Sequence, residues 1–314
     1  MIAFFILLIK IFYLQVIEHK HFKALSNKNS IKIIPLPPNR GIIFDRNNKI
    51  LANNKISFSL ELNRKQKINF DTLAYRFKDI IEITDRDIKN YKERISKYYF
   101  FDSSPIKFNL TNIQIAKFIS QKYKYPEFSI KQGFTRNYPL GKSSAHLIGY
   151  INRINIKDIE QLKKNDLFGN YRGSTHIGKS GIEKFYEKRI HGITGYKKIE
   201  VDANQNLIRT IKTVPAISGE DIYLSIDSRI QKIAENAFGN RRGALVAIDP
   251  NNGEILAYVS QPTFDPSLFT DGISKENWLK LNDKKNRPLL DRVISGTYPP
   301  GSTLKPFVGL AALH

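Results

Sequence analysis

The sequence has no cysteine among its 314 residues, which excludes disulfide frameworks, thiolate metal sites and thiol nucleophiles. Acidic residues are also scarce, at 29 against 50 Lys and Arg, and the formal net charge is +21. Such a charge suggests nucleic acid or an anionic surface as a partner. However, the lysines form no compact block interleaved with aromatic residues, and drift toward AT-rich codons explains them equally well. We therefore do not predict nucleic-acid binding, and the length allows two domains with their own cores.

Long apolar runs are scarce as well, and the longest one covers residues 2 to 17. A membrane span needs about 20 apolar residues, and a central lysine costs roughly 3 kcal/mol, although Lys10 can extend toward the interface. No basic segment precedes the run, whereas Lys20 and Lys23 follow it, against the usual charge bias. A start codon placed too far downstream would account for both features, and no small-residue cleavage site is present. We predict an uncleaved membrane anchor over residues 1–18, with a buried core helix as the alternative.

The clearest chemical signal lies in residues 298–307, whose sequence is Tyr-Pro-Pro-Gly-Ser-Thr-Leu-Lys-Pro-Phe. The prolines and the glycine predict a loop, and the apolar residues that follow predict a helix beginning at or beside Ser302. Lys305 then lies about one turn later on the same helical face. A serine hydroxyl becomes a nucleophile when a partly desolvated lysine removes its proton. Free amides at a helix start also favour the oxyanion that forms in acyl transfer.

Two simpler interpretations of this pattern have to be weighed. Ser302 could be a plain helix N-cap. The same spacing also occurs from Ser104 to Lys107, where a proline directly follows the serine and apolar residues alternate as in a strand. We interpret that second match as a coincidence of composition. The Pro-Pro-Gly context favours Ser302 as the candidate nucleophile and Lys305 as the candidate base.

A competing signal is present in residues 173–180, which match the phosphate-binding pattern G-x-x-x-x-G-K-S in full. A phosphate loop must follow a buried strand, but residues 163–172 are polar and are interrupted by Gly169. Ser180 and Glu183 instead predict a capping box for a helix with an apolar stripe. We therefore expect no nucleotide binding at Gly173–Ser180, and a nucleotide-binding protein is the remote alternative.

The region before residue 218 predicts a mixture of strands and amphipathic helices. Residues 56–62 alternate as a strand, Thr84 to Tyr99 predicts a charged surface helix, and Thr111 with Gln114 predicts a capping box. The charged residues of this region are expected to be solvated.

From residue 219 onward the pattern predicts a second unit that leads into Ser302. A strand should end at Asp227, followed by a helix capped by Ser228 and Gln231. The residues expected to form the buried stripe of that helix are Ile230, Ile233, Ala234, Ala237 and Phe238. Residues 243–260 predict a β-hairpin with Pro-Asn-Asn-Gly turn chemistry, and residues 261–297 predict a long polar connection.

Six segments together carry a resemblance to a known family. They occur in the family's order over nearly the whole chain, which is far more specific than any single motif. The segments are Arg40–Arg46, His146–Tyr150, Ile177–Glu183, Gly192–Tyr196, Asp221–Asp227 and Tyr298–Phe307. By these segments the chain resembles the class B penicillin-binding proteins, and most closely the elongation-type members of Gram-negative bacteria.

The resemblance implies an α+β protein in three parts. These would be a transmembrane anchor over residues 1–18, a mixed α/β pedestal of the dimerisation type over residues 19–217, and the beginning of a transpeptidase domain, an antiparallel sheet flanked by helices, over residues 218–314. Ser302 would be the acylated nucleophile and Lys305 its base, with no metal or organic cofactor.

The resemblance also implies an activity and partners. The implied reaction is cross-linking of peptidoglycan stem peptides that end in D-Ala-D-Ala, during cell-wall elongation, with β-lactams as covalent ligands. The implied location is the inner membrane, with a single span and the bulk of the chain in the periplasm. The implied partner is the elongation glycan polymerase of the SEDS family.

Two further motifs of the family, Ser-x-Asn and Lys-Thr-Gly, are expected downstream of the nucleophile, but only residues 303–314 follow Ser302 here. Residues 179–181 are Lys-Ser-Gly and resemble the last motif, yet they lie upstream in the pedestal and we reject them. We therefore expect this chain to be an incomplete, inactive copy. The rival hypothesis is a non-catalytic, membrane-anchored interaction module.

Overall fold

A computed structural model describes residues 2–18, 31–63, 77, 80–85, 87–89, 91–92, 103–202, 207–270 and 272–314. Short helices combine with mainly antiparallel strands, which confirms the predicted α+β class. The helices are α1 (Ile2–Phe12), α2 (Asn112–Ser120), α3 (Ala145–Ile148), α4 (Ile156–Lys164), α5 (Gly181–Phe185), α6 (Glu187–His191), α7 (Ser228–Phe238), α8 (Ser267–Thr270), α9 (Lys275–Leu281), α10 (Arg292–Ser295) and α11 (Lys305–Leu313). The strands are β1 (Ile31–Leu36), β2 (Ile43–Phe44), β3 (Ile50–Asn63), β4 (Ser103–Lys107), β5 (Phe128–Asn137), β6 (Ile151–Arg153), β7 (His176–Gly178), β8 (Gly195–Val201), β9 (Leu207–Val214), β10 (Ile222–Tyr223), β11 (Gly243–Ile248) and β12 (Ile255–Gln261).

The apolar N-terminal run is helical throughout. Helix α1 continues directly into a π-helical turn, Tyr13–Ile17, which ends at Glu18. Its large apolar side chains are exposed wherever they are described. Across the described part of the chain, every helix falls short of the length and apolarity that crossing a bilayer requires.

A long strand, β3, forms the centre of the first core. It pairs antiparallel with β4 and β5, and it buries Leu60 and Leu62 near its end, whereas Ile56, four residues before Leu60, stays exposed. Helix α2 covers this sheet through the buried Phe118, and Thr111 with Gln114 forms the predicted capping box at its start. The charged helix expected between Thr84 and Tyr99 lies partly outside the described residues.

A separate three-stranded antiparallel sheet follows the order β1-β8-β9. The first strand of the chain therefore pairs with one that lies more than 150 residues later, and β9 adds to the far side of β8. Two register shifts interrupt the β8–β9 ladder, on either side of the Ile199–Glu200 step.

The two parts of the chain meet where β10 pairs in parallel with β2, Ile222 opposite Ile43. The predicted strand from Ile222 to Ile226 is shorter than expected, because only Ile222–Tyr223 pairs before the chain turns into α7. The N-cap of α7 is Asp227, whose carboxylate accepts the Arg229 amide hydrogen. The expected cap of Ser228 with Gln231 is therefore wrong by one residue.

Helix α7 and the hairpin β11–β12 form the next layer. The predicted hairpin is confirmed, with antiparallel pairing from Gly243–Gln261 to Ile248–Ile255. The predicted stripe of α7 is wrong in its burial: Ile233 is 69% exposed, whereas Gln231 is fully buried. Gln231 Oε1 accepts the Tyr258 amide hydrogen at 2.7 Å and its Nε2 donates to the Tyr258 carbonyl at 2.8 Å. The buried Gln231 side chain thus faces β12, and the residues of the predicted apolar stripe are partly or fully exposed.

Candidate active site

Ser302 lies in a 3-10 turn, Gly301–Leu304, that leads directly into α11. Gly301 has φ +56°, a left-handed conformation that glycine adopts readily, and it turns the chain out of the two prolines into this helix. The Lys305 amide donates to the Ser302 carbonyl. Residues i and i+3 eclipse one another in 3-10 geometry, so Ser302 and Lys305 emerge on the same side of the segment. The structure thus places the two predicted site residues one 3-10 turn apart.

The helix start is not held by a serine cap. The N-cap residue of α11 is Leu304, without a side-chain capping bond, and the turn is fixed by Thr303, whose amide donates to the Pro300 carbonyl at 3.3 Å. Among the described residues, no hydrogen bond joins the Ser302 hydroxyl to the Lys305 ammonium group. All of residues 299–314 are exposed, including Phe307 and Leu310. The plain N-cap interpretation of Ser302 is therefore not what this geometry shows.

The connection before this turn is folded rather than extended, which corrects the expected long polar connection. Residues 261–297 contain α8, α9 and α10, and a buried arginine, Arg292, organises their last part. Its guanidinium donates to the carbonyls of Asn286, Arg287 and Leu290. One charged side chain with several donors can satisfy several loop carbonyls at once, a long-range role that no local motif indicates.

Strand β12 also holds the segment around Asp291 and Arg292 in place. The Tyr258 hydroxyl donates to Asp291 Oδ2 at 2.7 Å, and the Arg292 amide donates to Ser260 Oγ at 3.0 Å. Asp291 also caps α10 by accepting the Val293 amide hydrogen. Burial and the neighbouring carboxylate raise the pKa of Tyr258, so this hydroxyl stays protonated as a donor. The chain segment that precedes Ser302 is thus bonded to strand β12 of the second unit.

The alternative Ser-x-x-Lys pattern is located in a different environment. Ser104 lies in β4, with its backbone paired to Leu62, and Lys107 ends the same strand with its ammonium group bonded to the Glu82 carbonyl. The Lys107 ammonium group is therefore already engaged by a backbone carbonyl, and this pattern lies in a strand rather than at the start of a helix.

A buried ionic cluster in the pedestal was not anticipated from the sequence. Glu183 is fully buried and accepts from the guanidinium groups of Arg40 and Arg136, each at 2.7 Å from a different carboxylate oxygen. Arg40 also donates to Glu187 at 2.7 Å, which in turn accepts the Tyr171 hydroxyl hydrogen at 2.8 Å. The expectation that charged residues of this region are solvated is wrong for these side chains. The predicted capping box of Ser180 with Glu183 is also wrong, because Glu183 serves the two arginines and Ser180 makes no capping bond.

The pKa shifts within this ionic cluster indicate a structural role rather than a catalytic one. Burial alone would raise the pKa of Glu183, but the two arginines hold it below its ordinary value. Burial likewise opposes the charged form of Arg40, yet Glu183 and Glu187 raise its pKa above the ordinary value. Glu183 and Arg40 are therefore both ionised, and neither is poised to exchange a proton near neutral pH.

A second set of polar contacts joins the pedestal to the following unit. The buried Asp45 accepts the Ser228 amide hydrogen at 3.1 Å, and Asn47 Nδ2 donates to Asp227 Oδ2 at 3.0 Å. Hydrogen bonds lower the pKa of Asp45 despite its burial, so it is an ionised acceptor. The turn after β2 thereby holds the start of α7, which packs on strand β12 of the hairpin.

The structure places the G-x-x-x-x-G-K-S segment away from any buried preceding strand, as expected. Before it lie the end of α4 and a 3-10 turn, Phe168–Tyr171, and the segment itself forms β7 and the N-cap of α5. The Lys179 ammonium group is engaged by Asp158, and the Gly178 amide donates to Glu187 at 2.9 Å. The two groups that would bind a phosphate, the Lys179 ammonium and the Gly178 amide, are therefore already bonded to carboxylates.

We therefore predict that the chain shows no saturable binding of Mg-ATP in isothermal titration calorimetry, and that Lys179→Ala leaves this result unchanged. The reason is that both donors of the pattern already have carboxylate partners. Micromolar, magnesium-dependent binding that Lys179→Ala abolishes would contradict this interpretation.

Comparison with known proteins agrees with the two structural parts. Residues 35–224 match the model of the penicillin-binding protein dimerisation domain, and residues 243–314 match that of the penicillin-binding protein transpeptidase domain. The chain belongs to the penicillin-binding protein family. The resemblance noted in the sequence is thereby confirmed.

Among curated relatives, the peptidoglycan D,D-transpeptidase MrdA of Acinetobacter baumannii is 43% identical over 302 residues, covering 96% of this chain and 44% of the relative. The MrdA of Escherichia coli K12 is 38% identical over 308 residues, covering 98% and 49%. The chain thus spans about half the length of the curated relatives it matches.

Solved structures give the same family. The complex of PBP2 and MreC from Helicobacter pylori matches with TM-score 0.73 and 29% identity, covering 90% of this chain and 52% of that one. Pseudomonas aeruginosa PBP2 in complex with WCK 5153 matches with TM-score 0.56 and 37% identity, covering 90% and 42%.

Proposed function

We propose that this chain is the N-terminal part of a serine D,D-transpeptidase that cross-links peptidoglycan stem peptides. The observation that carries the proposal is the pair Ser302 and Lys305, one 3-10 turn apart in the segment that matches the transpeptidase family. The MrdA relatives bear the name of this activity. Covalent labelling by a fluorescent penicillin tests the role of the pair.

In the proposed reaction, Lys305 in its neutral form accepts the proton of the Ser302 hydroxyl, and the serine oxygen attacks the carbonyl of a D-alanyl-D-alanine donor. The tetrahedral intermediate collapses as the peptide C–N bond breaks, and the terminal D-alanine leaves with a proton on its nitrogen. An amine of a second stem peptide then attacks the ester, forming the cross-link and returning the proton to Ser302. No metal or organic cofactor takes part in these steps.

We also propose that helix α1 and the following turn anchor the protein in the inner membrane, with residues 19–217 as a pedestal and residues 218–314 as the start of the transpeptidase domain, in the periplasm. The apolar side chains of α1, exposed along the described helix, support this location, since a lipid environment would cover them.

The anchor predicts the behaviour of a fusion. A reporter attached after Lys28 should sediment with membranes and report an extracytoplasmic location in a protease-accessibility assay. Adding an upstream cationic segment should improve insertion, because cationic residues are retained on the cytoplasmic side. A reporter that stays soluble in the cytosol with and without that segment would rule out the anchor.

A second candidate function is a non-catalytic module that assembles with other cell-wall proteins. Its support is that a Helicobacter pylori PBP2 was solved in complex with MreC, and that the pedestal of this chain has a packed core of its own around β3 and α2. Partners of this kind, including a glycan polymerase of the SEDS family, are proposed for either function. Sequencing beyond the codon for His314 separates the two: a frame containing Ser-x-Asn and Lys-Thr-Gly favours the enzyme.

A further inference from the structure

The sheet β1-β8-β9 has one face whose composition suits a membrane surface. In an antiparallel sheet, directly paired residues share a face, so the register defines three rungs across the strands. The rungs are Pro35–Tyr196–Val214, Ile33–Lys198–Lys212 and Ile31–Glu200–Arg209. We call these nine residues the outer face. Each of them is at least partly exposed, whereas Ile199 and Val201 on the opposite face of β8 are buried.

The charges of the outer face are predominantly positive. It carries three cations and a single carboxylate, Glu200, which accepts from Arg209 at 2.6 Å. The positive charges of Lys198 and Lys212 therefore have no acidic side chain against them within the described residues. They lie directly opposite one another in the ladder, an arrangement of like charges that costs stability unless an anion is nearby.

The apolar residues of the outer face lie among these cations. Ile33 is 58% exposed on the same rung as the two lysines, and Tyr196 is exposed on the next rung. Tyrosine favours the headgroup level of a bilayer, and lysine stems can pack on apolar surface while their ammonium groups reach anions. A protein partner core, by contrast, is depleted in lysine.

The position of the sheet in the chain agrees with this chemistry. Only residues 19–30 separate the end of the apolar N-terminal helix from Ile31, the first residue of β1. Twelve residues span at most about 45 Å when fully extended. If the helix is the anchor, as proposed above, the sheet is tethered close to the membrane surface.

We infer that the outer face lies against the membrane and binds anionic phospholipid headgroups through Lys198, Lys212 and Arg209, with Ile33 and Tyr196 at the headgroup level. This inference rests on the proposed anchor but not on the proposed catalytic activity. It assigns the β1-β8-β9 sheet the task of fixing the orientation of the pedestal on the bilayer.

The absence of cysteine allows a direct test, because one introduced cysteine is the only thiol to label. Ile33→Cys places a fluorophore on the outer face, and Thr213→Cys, an exposed residue paired with Lys197, places it on the opposite face as the matched control. The chain is reconstituted into nanodiscs of phosphatidylcholine with or without phosphatidylglycerol, and quenching by headgroup-attached nitroxide lipids is measured for each label.

We expect stronger quenching at position 33 than at position 213 in discs containing phosphatidylglycerol. Lys198→Glu with Lys212→Glu should remove that difference, since each lysine near an anionic surface contributes roughly fivefold to binding. Equal quenching at the two positions, with the chain retained in the discs, would overturn the inference and leave the anchor intact. Loss of the chain from the discs would overturn the anchor and, with it, the tether that the inference requires.

Discussion

Ser302→Ala should abolish covalent labelling by a fluorescent penicillin in a protein completed with the downstream motifs. The strained lactam amide mimics the D-alanyl-D-alanine carbonyl, and the acyl-enzyme hydrolyses slowly, so labelling of the native serine is stable. No other hydroxyl lies one 3-10 turn from a lysine in the matched transpeptidase segment, so no substitute nucleophile is expected. In-gel fluorescence after denaturation measures the adduct, and peptide mapping locates it.

Lys305→Ala should slow the same labelling by roughly 10² to 10⁴, the range for loss of a positioned proton acceptor. Ser104→Ala is the matched control, because it removes the serine of the other Ser-x-x-Lys pattern, and it should label at the native rate. An adduct that maps to Ser104 would mean that we have chosen the wrong pattern. For residues 1–314 alone, without the downstream motifs, we expect no labelling. Helix α11 is exposed on all sides in this chain, so the site around Ser302 is not enclosed. An enclosed site supplies oxyanion donors, and the loss of a single one costs about 3 kcal/mol. Labelling of that chain at a rate near the completed protein's would contradict this last expectation.

Glu183→Gln should lower the free energy of unfolding by about 3 to 5 kcal/mol, the cost of removing one partner from a buried ion pair. The glutamine keeps the size of the side chain but leaves the buried charges of Arg40 and Arg136 facing a neutral amide. Urea denaturation followed by circular dichroism measures the change. Glu276→Gln is the control: this carboxylate pairs with Lys280 on the surface of α9, and its removal should leave the unfolding midpoint unchanged.

The same carboxylate gives a pH dependence of known sign. The folded-state pKa of Glu183 is below its ordinary value of 4.5, so the unfolded chain binds a proton first as the pH falls. Its contribution to stability is complete above about pH 4.5 and is lost as the pH falls through the lowered folded-state pKa. Thermal unfolding between pH 6 and pH 3 should show a steeper acid loss for the native chain than for Glu183→Gln. Equal slopes would indicate that this carboxylate does not carry the acid sensitivity.

Local features of the fold were predictable because they depend on neighbouring residues. The Thr111 capping box and the β11–β12 hairpin each form from residues within a short segment, and both are confirmed. The cap of α7 was misplaced because Asp227 and Ser228 are both good caps, and the choice is made by Asp45, more than 180 residues earlier, which accepts the Ser228 amide hydrogen.

The buried charges could not be predicted for the same physical reason. Glu183 follows a serine by three residues, which is the local signature of a capping box, but two arginines at positions 40 and 136 outcompete that use. Nothing near them in sequence indicates that three segments converge. The Ser302 segment was easier to predict from the sequence, since its prolines, glycine and lysine act within ten residues. The contacts by which Arg292 holds the preceding loop could not be predicted.

The parallel pairing of β2 with β10 has a consequence for how the protein is made. Ile42 donates to Asp221, 179 residues later, and Ile43 pairs with Ile222. At a synthesis rate of about 5 to 20 residues per second, roughly 10 to 40 s pass between the emergence of the first strand and that of its partner. During that interval Ile43, which is fully buried in the folded protein, has no β10 strand paired beside it. The early chain is thus exposed to aggregation and proteolysis until the second part arrives, so that pedestal maturation depends on translation proceeding past residue 222.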